Sequence, residues 1–159
     1  MLDLCYRYYP SHLFNGIWQY LENAVIAKQI KLIISVDIYE ETVLQINKFH
    51  HDIVLFDNFI KKMSVEIIKK DDYELGLEQL FAQLNNIGIS PSTLKNNSND
   101  LSNICAAQFK NAAVITAEQG IKLPLNADTK RLKIPDTCQY YKIDCGNWIL
   151  VFEYIGLTV

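Results

Sequence analysis

The chain has 159 residues, a formal net charge of −3 and 50% hydrophobic residues. This length favours a single domain over residues 1–159, and so large an apolar fraction argues against a disordered chain. No apolar run reaches the roughly 20 residues of a membrane-spanning helix, so no membrane partner is predicted. The start, MLDLCYRYYP, lacks the basic flank and apolar core of a signal peptide, and none of the four cysteines forms a CxxC pair. We therefore predict a cytoplasmic protein with reduced thiols.

Helical and strand patterns alternate in the first half of the chain. Apolar residues recur at helical spacing in 13–29, and 31–35 is a short run rich in β-branched residues. Asp37 and Glu40 have the spacing of a capping box, which predicts that the next helix begins at Asp37. Beyond it the patterns predict a helix, a strand and a helix, at 52–63, 64–70 and 71–88.

The second half begins with a polar segment, 89–100, whose Ser, Asn and Pro content predicts one long loop. A helix is predicted at 101–110, followed by strands at 112–116 and 131–134. Two further helices are predicted to begin at about Asp136 and at about Asn147. Short apolar strands that alternate with helices predict an α/β fold with a mainly parallel central sheet flanked by helices. The crossovers between its strands should be right-handed.

Acidic residues are expected to meet at one edge of this sheet. Asp100 precedes the helix at 101–110, and Glu118 follows the strand at 112–116. A helix that feeds a strand runs antiparallel to it, and ten helical residues rise about 15 Å while five strand residues span about 16 Å. The two acids should therefore face each other at the carboxyl end of the strand, where open α/β sheets bind ligands. Glu41, in the first turn of the helix after the first predicted strand, can point into the same rim.

Three converging carboxylates favour a bound cation. Two carboxylates about 4 Å apart repel by about 4 kcal/mol at an effective dielectric near 20, so their pKa values rise unless a cation is bound. Mg²⁺ and Mn²⁺ prefer oxygen ligands, and such a metal activates water for attack on a phosphodiester. Spacing alone also leaves open a purely structural interpretation for each acid. In that interpretation Asp100 is a helix N-cap, Glu41 is a first-turn acid and Glu118 is a solvated loop residue.

Four segments span nearly the whole chain in a recognisable order. They are RYYP with LFNGIWQYLE, then LIISVDIYEETV, NDLSNICAAQFKNAAVITAE and KRLKIPDTCQYY. In order and spacing they resemble PIN-domain ribonucleases, and within them a PIN-like branch of prokaryotic toxin–antitoxin toxins. The resemblance implies metal-binding positions for Glu41, Asp100 and Glu118, and it places Asp136 at the rim of the same site.

The amino-terminal segment departs from the pattern of the proteins it resembles. Those proteins open with a strand that ends in an aspartate, the central metal ligand. MLDLCYRYYP is most similar to the segment after that strand, so the first strand and its acid would be absent. Alternatively, MLD is a shortened first strand and Asp3 takes the position of the ligand. In the first case another strand, a partner chain or a second copy of this chain would fill the centre of the sheet.

The function that the resemblance implies is a metal-dependent endoribonuclease with a PIN-like three-layer fold. The acids that would hold Mg²⁺ or Mn²⁺ and catalyse hydrolysis are Asp3, Glu41, Asp100 and Glu118. The basic residues chosen to hold the RNA backbone are Lys130, Arg131 and Lys133. The implied partners are the RNA substrate, an antitoxin protein and a second copy in a homo-oligomer. The alternative is a catalytically impaired PIN-like protein that acts through protein partners or oligomerisation.

Overall fold

Short strands and helices alternate along the chain. The structure is a computed structural model and describes residues 15–121 and 124–157. Its helices are α1 (Asn15–Ile26), α2 (Val36–Lys48), α3 (Ile53–Lys62), α4 (Lys70–Asn86), α5 (Pro91–Asn96), α6 (Ser98–Phe109), α7 (Ile134–Tyr141) and α8 (Trp148–Tyr154). Its strands are β1 (Ile33–Ser35), β2 (Glu66–Ile68), β3 (Val114–Ile115) and β4 (Cys145–Gly146). The predicted α/β class is confirmed. Among the helices of these two ranges, none has the length and apolar composition of a membrane span.

The strands pair in parallel, as predicted. β1 pairs with β2 in a register that sets Ile34 opposite Ile67, and β3 pairs with β4 with Val114 opposite Cys145. Within the described ranges these pairs form two separate two-stranded sheets. The helix α6 contacts both β1 and β3, so it connects the two sheets.

Two apolar clusters form the core. One is built mainly by α4, α6 and α7 and contains the fully buried Leu80 and Ile104. The other is built mainly by α1, α3 and α8 and contains the fully buried Phe56. Ile33 packs against the first cluster, whereas Ile34 belongs to the second. Because β1 is covered on both faces, its sequence is a continuous apolar run rather than an alternating one.

The helix α2 begins earlier than predicted, because a serine caps it. Ser35, the last residue of β1, accepts a hydrogen bond from the backbone N–H of Ile38 at 3.3 Å. Such a cap stabilises a helix by about 1 kcal/mol. The predicted start at Asp37 is therefore wrong. Asp37 lies in the first turn and accepts a hydrogen bond from the Tyr73 hydroxyl at 3.0 Å, which ties α2 to α4.

Two other predicted segments differ from the structure. Residues 89–100, predicted as one loop, contain α5 and the first residues of α6. Ser90 caps α5 by accepting a hydrogen bond from the Thr93 N–H at 3.2 Å, so the polar composition marks a helix start. The strand predicted at 131–134 does not form, because α7 already begins at Ile134.

Candidate functional site

A cleft of about 780 Å³ lies between β1 and β3. Residues 29–34 form one wall, residues 111–118 form the other, and side chains of α2, α6 and α8 close it. Glu41, Asp100 and Glu118 all line this cleft. The structure therefore brings together the three described acids that the sequence placed at one edge of the sheet.

The Asp100 carboxyl group sits in surroundings that oppose its ionisation. Asp100 lies in the first turn of α6. Burial raises its pKa to about 6, and the negative charges of Glu118 and Glu41 act in the same direction. The positive charge of Lys133 opposes them. Within the described ranges no hydrogen bond or ion pair reaches this carboxylate, so a proton or a cation is what would stabilise it.

Glu41 is held in the cleft by the first turn of α6. The side-chain amide of Asn99 donates a hydrogen bond to Glu41 Oε2 at 2.8 Å. The same helix is tied to the end of β1, where the Ser35 N–H donates to Asn103 Oδ1 at 3.2 Å. The hydroxyl oxygens of Ser35 and Ser102 lie 3.3 Å apart. These contacts fix the start of α2, and hence the position of Glu41, against the start of α6.

Both carboxylate oxygens of Glu118 are already in use. Lys133 Nζ lies 2.7 Å from Oε1, and the backbone N–H of Ile134 donates to Oε2 at 3.0 Å. The second contact places the carboxylate at the amino end of α7, where the helix dipole favours a negative charge. The N–H of Glu118 in turn donates to Thr116 Oγ1 at 3.1 Å, which fixes the chain just past β3.

Asp136, which the resemblance places at the rim, supports the loop beside the cleft. It is buried and does not line the cleft. Its Oδ2 accepts a hydrogen bond from the Ile121 N–H at 2.8 Å. A Cβ atom on Gly120 would lie 2.6 Å from Asp136 Oδ1, so any other residue here would force the buried Asp136 side chain to shift. The loop after Glu118 is thereby held against α7.

The other residues predicted to form the site differ in whether the structure describes them and in how exposed they are. Asp3 lies outside the residues that the structure describes. Lys130 and Arg131 are exposed, whereas the Lys133 side chain is only 22% exposed and pairs with Glu118. The basic cluster predicted to hold RNA thus consists of two solvent-exposed cations and one that already binds an acid.

The described residues provide the right donor atoms for Mg²⁺ or Mn²⁺ but not a complete ligand set. Carboxylate oxygens are the ligands that both ions prefer. In the two described ranges, however, no three His, Cys, Asp or Glu side chains form a group that could hold a metal ion. Since Lys133 and Ile134 engage both oxygens of Glu118, a cation that uses Oε1 at this rim requires Lys133 to move away.

The polar face of α6 that positions the acids was not predicted from the sequence. Ser102 and Asn103 lie three and four residues after Asn99, so both neighbour it on the same side of the helix. A signal existed in the string NDLSN, where polar residues recur at helical spacing in a helix that is otherwise largely apolar. The pairing of Lys133 with Glu118 gave no comparable signal, because 15 residues separate the two.

The fold and the site define an α/β protein with the carboxylates of Glu41, Asp100 and Glu118 at a cleft between two parallel strand pairs. Over residues 1–158 the chain matches the model of a family described as a domain of unknown function (DUF4411), and it belongs to that family. No curated protein and no solved structure gives a significant match to the chain.

The stability of the protein should decrease as Asp100 ionises. Its pKa is about 6 in the folded protein against an ordinary value of 3.8, so the folded state binds the proton more tightly. The resulting stabilisation is complete below about pH 4 and is lost as pH rises to about 6. Asp100→Asn should therefore raise the free energy of unfolding at pH 7.5 by about 1–2 kcal/mol after allowance for screening. Urea unfolding at pH 7.5 and pH 4 measures the effect, and an equal gain at both pH values would contradict the assignment.

Proposed function

We propose that this protein is a metal-dependent endoribonuclease with a PIN-like three-layer fold. One observation carries the proposal: the Asp100 carboxyl group shares a cleft with Glu41 and Glu118, whose charges help to raise its pKa to about 6. A divalent cation relieves repulsion of this kind between carboxylates. The apolar clusters on both faces of β1 support the three-layer arrangement.

In the proposed site Glu41, Asp100 and Glu118 would hold Mg²⁺ or Mn²⁺ after Lys133 has moved away from Glu118 and the three carboxylates have closed around the ion. When bound, such an ion supplies an activated water and offsets negative charge on the RNA phosphodiester. Asn99 orients Glu41 through its hydrogen bond to Oε2, and this bond leaves Oε1 for a ligand. Asp3, outside the described residues, is the further acid proposed for this site.

The exposed cations are proposed to hold the RNA backbone. Lys130 and Arg131 lie three and two residues before Lys133, whose ammonium group is at the acidic rim. A phosphate held by them would therefore be near the carboxylates. Lys133 would join them once a metal ion has replaced it at Glu118. Contacts of this kind position a nucleic acid without reading its base sequence.

The cellular role we infer is that of the toxin of a toxin–antitoxin pair, acting in the cytoplasm. The resemblance of the four sequence segments to a branch of such toxins supports this role. The role implies an antitoxin protein that holds the nuclease inactive until RNA is to be cleaved.

A second candidate is a catalytically impaired PIN-like protein that acts through protein partners or as a homo-oligomer. The contact of Lys133 with Glu118 at 2.7 Å favours it, because the ammonium group already supplies the counter-charge that a metal ion would bring. The two candidates differ in their response to metal. The nuclease should be stabilised by Mn²⁺, whereas the binding protein should melt at the same temperature with and without it.

Cleavage of an unstructured RNA tests the nuclease assignment. The purified protein should cut the RNA in Mn²⁺ or Mg²⁺ and not in excess EDTA. Glu41→Gln should lower the rate at least about 100-fold, because even residues that only support a metal ligand typically contribute 10- to 100-fold.

Glu40→Gln is the matched control for this experiment. It removes the same charge from the neighbouring position of α2, which is exposed and does not line the cleft, so the variant should cleave at the wild-type rate. A wild-type protein that cuts RNA with neither metal would reject the nuclease, and a Glu41→Gln variant that cuts as fast as wild type would reject Glu41 as a metal ligand.

A further inference from the structure

We propose that Cys138 and Cys145 are a redox-sensitive pair, in which hydrogen peroxide oxidises Cys145 and Cys138 then closes a disulfide. The bond would join α7 to β4, the two elements that hold Glu118 in place. Neither thiol belongs to the proposed nuclease site, so the oxidation requires no metal ion and no RNA.

A chain reversal at the end of α7 brings the two cysteines together. Lys142 ends the helix in the left-handed conformation, with φ 59° and ψ 43°. The next backbone N–H, that of Ile143, donates back to Cys138 O at 2.9 Å, so the chain returns over the turn that carries Cys138. Cys145 follows two residues later as the first residue of β4, which contacts α7. Ile143 and Cys145 both pack against the apolar cluster that contains Cys138.

The two thiols are hydrogen-bonded to each other but differ in exposure. Cys138 is fully buried, whereas Cys145 is partly exposed. The Cys138 thiol donates to the Cys145 sulfur, and this bond lowers the pKa of Cys145 although partial burial opposes the shift. The same bond, together with full burial, raises the pKa of Cys138. The sulfur that a solute can reach is therefore the one that ionises first, while the thiol beside it keeps its proton.

An accessible, easily ionised cysteine beside a second thiol is typical of redox sensors. The Cys145 thiolate attacks one oxygen of hydrogen peroxide, an S–O bond forms and the O–O bond breaks. The departing hydroxide takes up the proton that Cys145 had lost, which leaves a sulfenic acid and one water. Cys138 then attacks the Cys145 sulfur, the S–O bond breaks, and the departing hydroxide takes the Cys138 proton as a second water. Two thiols thus lose two electrons and two protons, and one peroxide is reduced to two waters.

The disulfide would hold a strand that is otherwise weakly paired. β4 has two residues, and the Thr116 N–H beside β3 donates to Gly146 O at 2.9 Å. So short a strand opens by local fluctuation at a small cost in free energy. Thr116 Oγ1 accepts a hydrogen bond from the Glu118 N–H, and the Ile134 N–H at the start of α7 donates to Glu118 Oε2. Oxidation would therefore tie together the two elements that position Glu118.

Tryptic peptides report the disulfide directly, because Lys142 separates the two cysteines. The reduced protein is treated with hydrogen peroxide in the absence of metal and RNA, catalase removes the excess, and remaining thiols are blocked with N-ethylmaleimide before digestion. Trypsin cleaves after Lys133 and Lys142, so the disulfide should link peptide 134–142 to the peptide that begins at Ile143. The link should disappear when the digest is reduced with dithiothreitol.

Single substitutions separate the two steps of the oxidation. In Cys138→Ala the sulfenic acid at Cys145 should persist and be trapped by dimedone, because no neighbouring thiol remains to react with it. In Cys145→Ser the buried Cys138 should form neither the link nor a dimedone adduct. Cys105→Ser is the matched control. Cys105 is also buried, and burial raises its pKa to about 12, so its loss should leave the link between 138 and 145 unchanged.

Amide hydrogen exchange tests the effect of the disulfide on the fold. In wild type, oxidation should slow exchange of the Thr116 amide at least about tenfold, because β4 can no longer separate freely from α7. Peroxide should leave this exchange rate unchanged in Cys138→Ala, which cannot form the disulfide.

Three results would overturn the proposal. The first is folded wild-type protein in which peroxide produces no link between 138 and 145. The second is a peroxide-induced disulfide that instead joins Cys145 to Cys5, to Cys105 or to another copy of the chain. The third is equal exchange at Thr116 in the reduced and the disulfide-linked protein, which would separate the thiol pair from the elements that hold Glu118.

Discussion

Asp100→Asn should abolish metal-dependent RNA cleavage while it makes the protein more stable. The amide keeps the shape of the side chain and removes its charge. Loss of a proposed metal ligand should lower the cleavage rate at least about 100-fold. Burial and the charges of Glu118 and Glu41 raise the pKa of the Asp100 carboxyl group to about 6. The same substitution removes this group, so the metal-free protein no longer carries an unfavourable negative charge at neutral pH. If replacing Asp100 by a neutral residue stabilises the protein and abolishes its activity, Asp100 serves function at the expense of stability.

Melting curves with and without Mn²⁺ measure both effects in one experiment. Free metal at 100 times its dissociation constant stabilises a protein by about 2.7 kcal/mol. Wild type should therefore melt at a higher temperature in Mn²⁺, and Asp100→Asn should show no such gain. Wild-type metal affinity should also fall as pH decreases through about 6, because the proton and the cation compete for Asp100.

Asp72→Asn is the matched control for Asp100→Asn. Asp72 lies in the first turn of α4, as Asp100 does in α6, but it is exposed and does not line the cleft. Its replacement should cost about 0.3–1 kcal/mol of helix stabilisation and leave cleavage intact. If Asp100→Asn instead loses stability and still cleaves RNA, Asp100 is only a first-turn acid and the metal site does not include it.

The place of the acids in the fold could be predicted from the sequence because it depends on regular geometry. A helix that feeds a parallel strand returns its amino end to the carboxyl end of that strand, whatever the side chains are. This rule set Asp100 opposite Glu118, and both line the cleft in the structure. The partners of these acids depend on side-chain reach between distant segments. The contacts of Lys133 with Glu118 and of Asn99 with Glu41 therefore could not be predicted from the sequence.

The errors in the predicted elements have a common physical cause. Ser35 and Asp37 are both good N-cap residues, and local spacing cannot choose between them. In the structure Ser35 is the cap, and the Asp37 side chain is instead bound by the hydroxyl of Tyr73, 36 residues away in sequence. The strand β4 has two residues, too few for any hydrophobic period, and it exists because it pairs with β3. Tertiary contacts thus decide what local patterns leave open.

Lys133→Gln should increase the affinity of the protein for Mn²⁺ about 10- to 100-fold. In the structure Lys133 Nζ lies 2.7 Å from Glu118 Oε1, so a metal ion that uses this oxygen must first break a charge-assisted contact. Such a hydrogen bond stabilises by about 1.5–3 kcal/mol, and each 1.4 kcal/mol corresponds to about a factor of ten in affinity. The apo variant should in turn be less stable, because Glu118 loses its cation and the charge that lowers the pKa of Asp100 is gone. Electron paramagnetic resonance of free Mn²⁺ measures the affinity directly.

Cleavage kinetics separate the two roles proposed for Lys133. If it competes with the metal and also holds RNA after the metal has bound, Lys133→Gln should need less Mn²⁺ for half-maximal activity and show a higher KM for RNA. Lys130→Gln, which removes an exposed cation of the same segment, should raise KM without changing the Mn²⁺ requirement. Lys133→Arg keeps the charge at the rim and should retain the wild-type requirement for Mn²⁺. Equal Mn²⁺ affinity in Lys133→Gln and wild type would show that Glu118 Oε1 is not a metal ligand. The contact with Lys133 would then be a permanent part of the fold, as the non-catalytic binding protein requires.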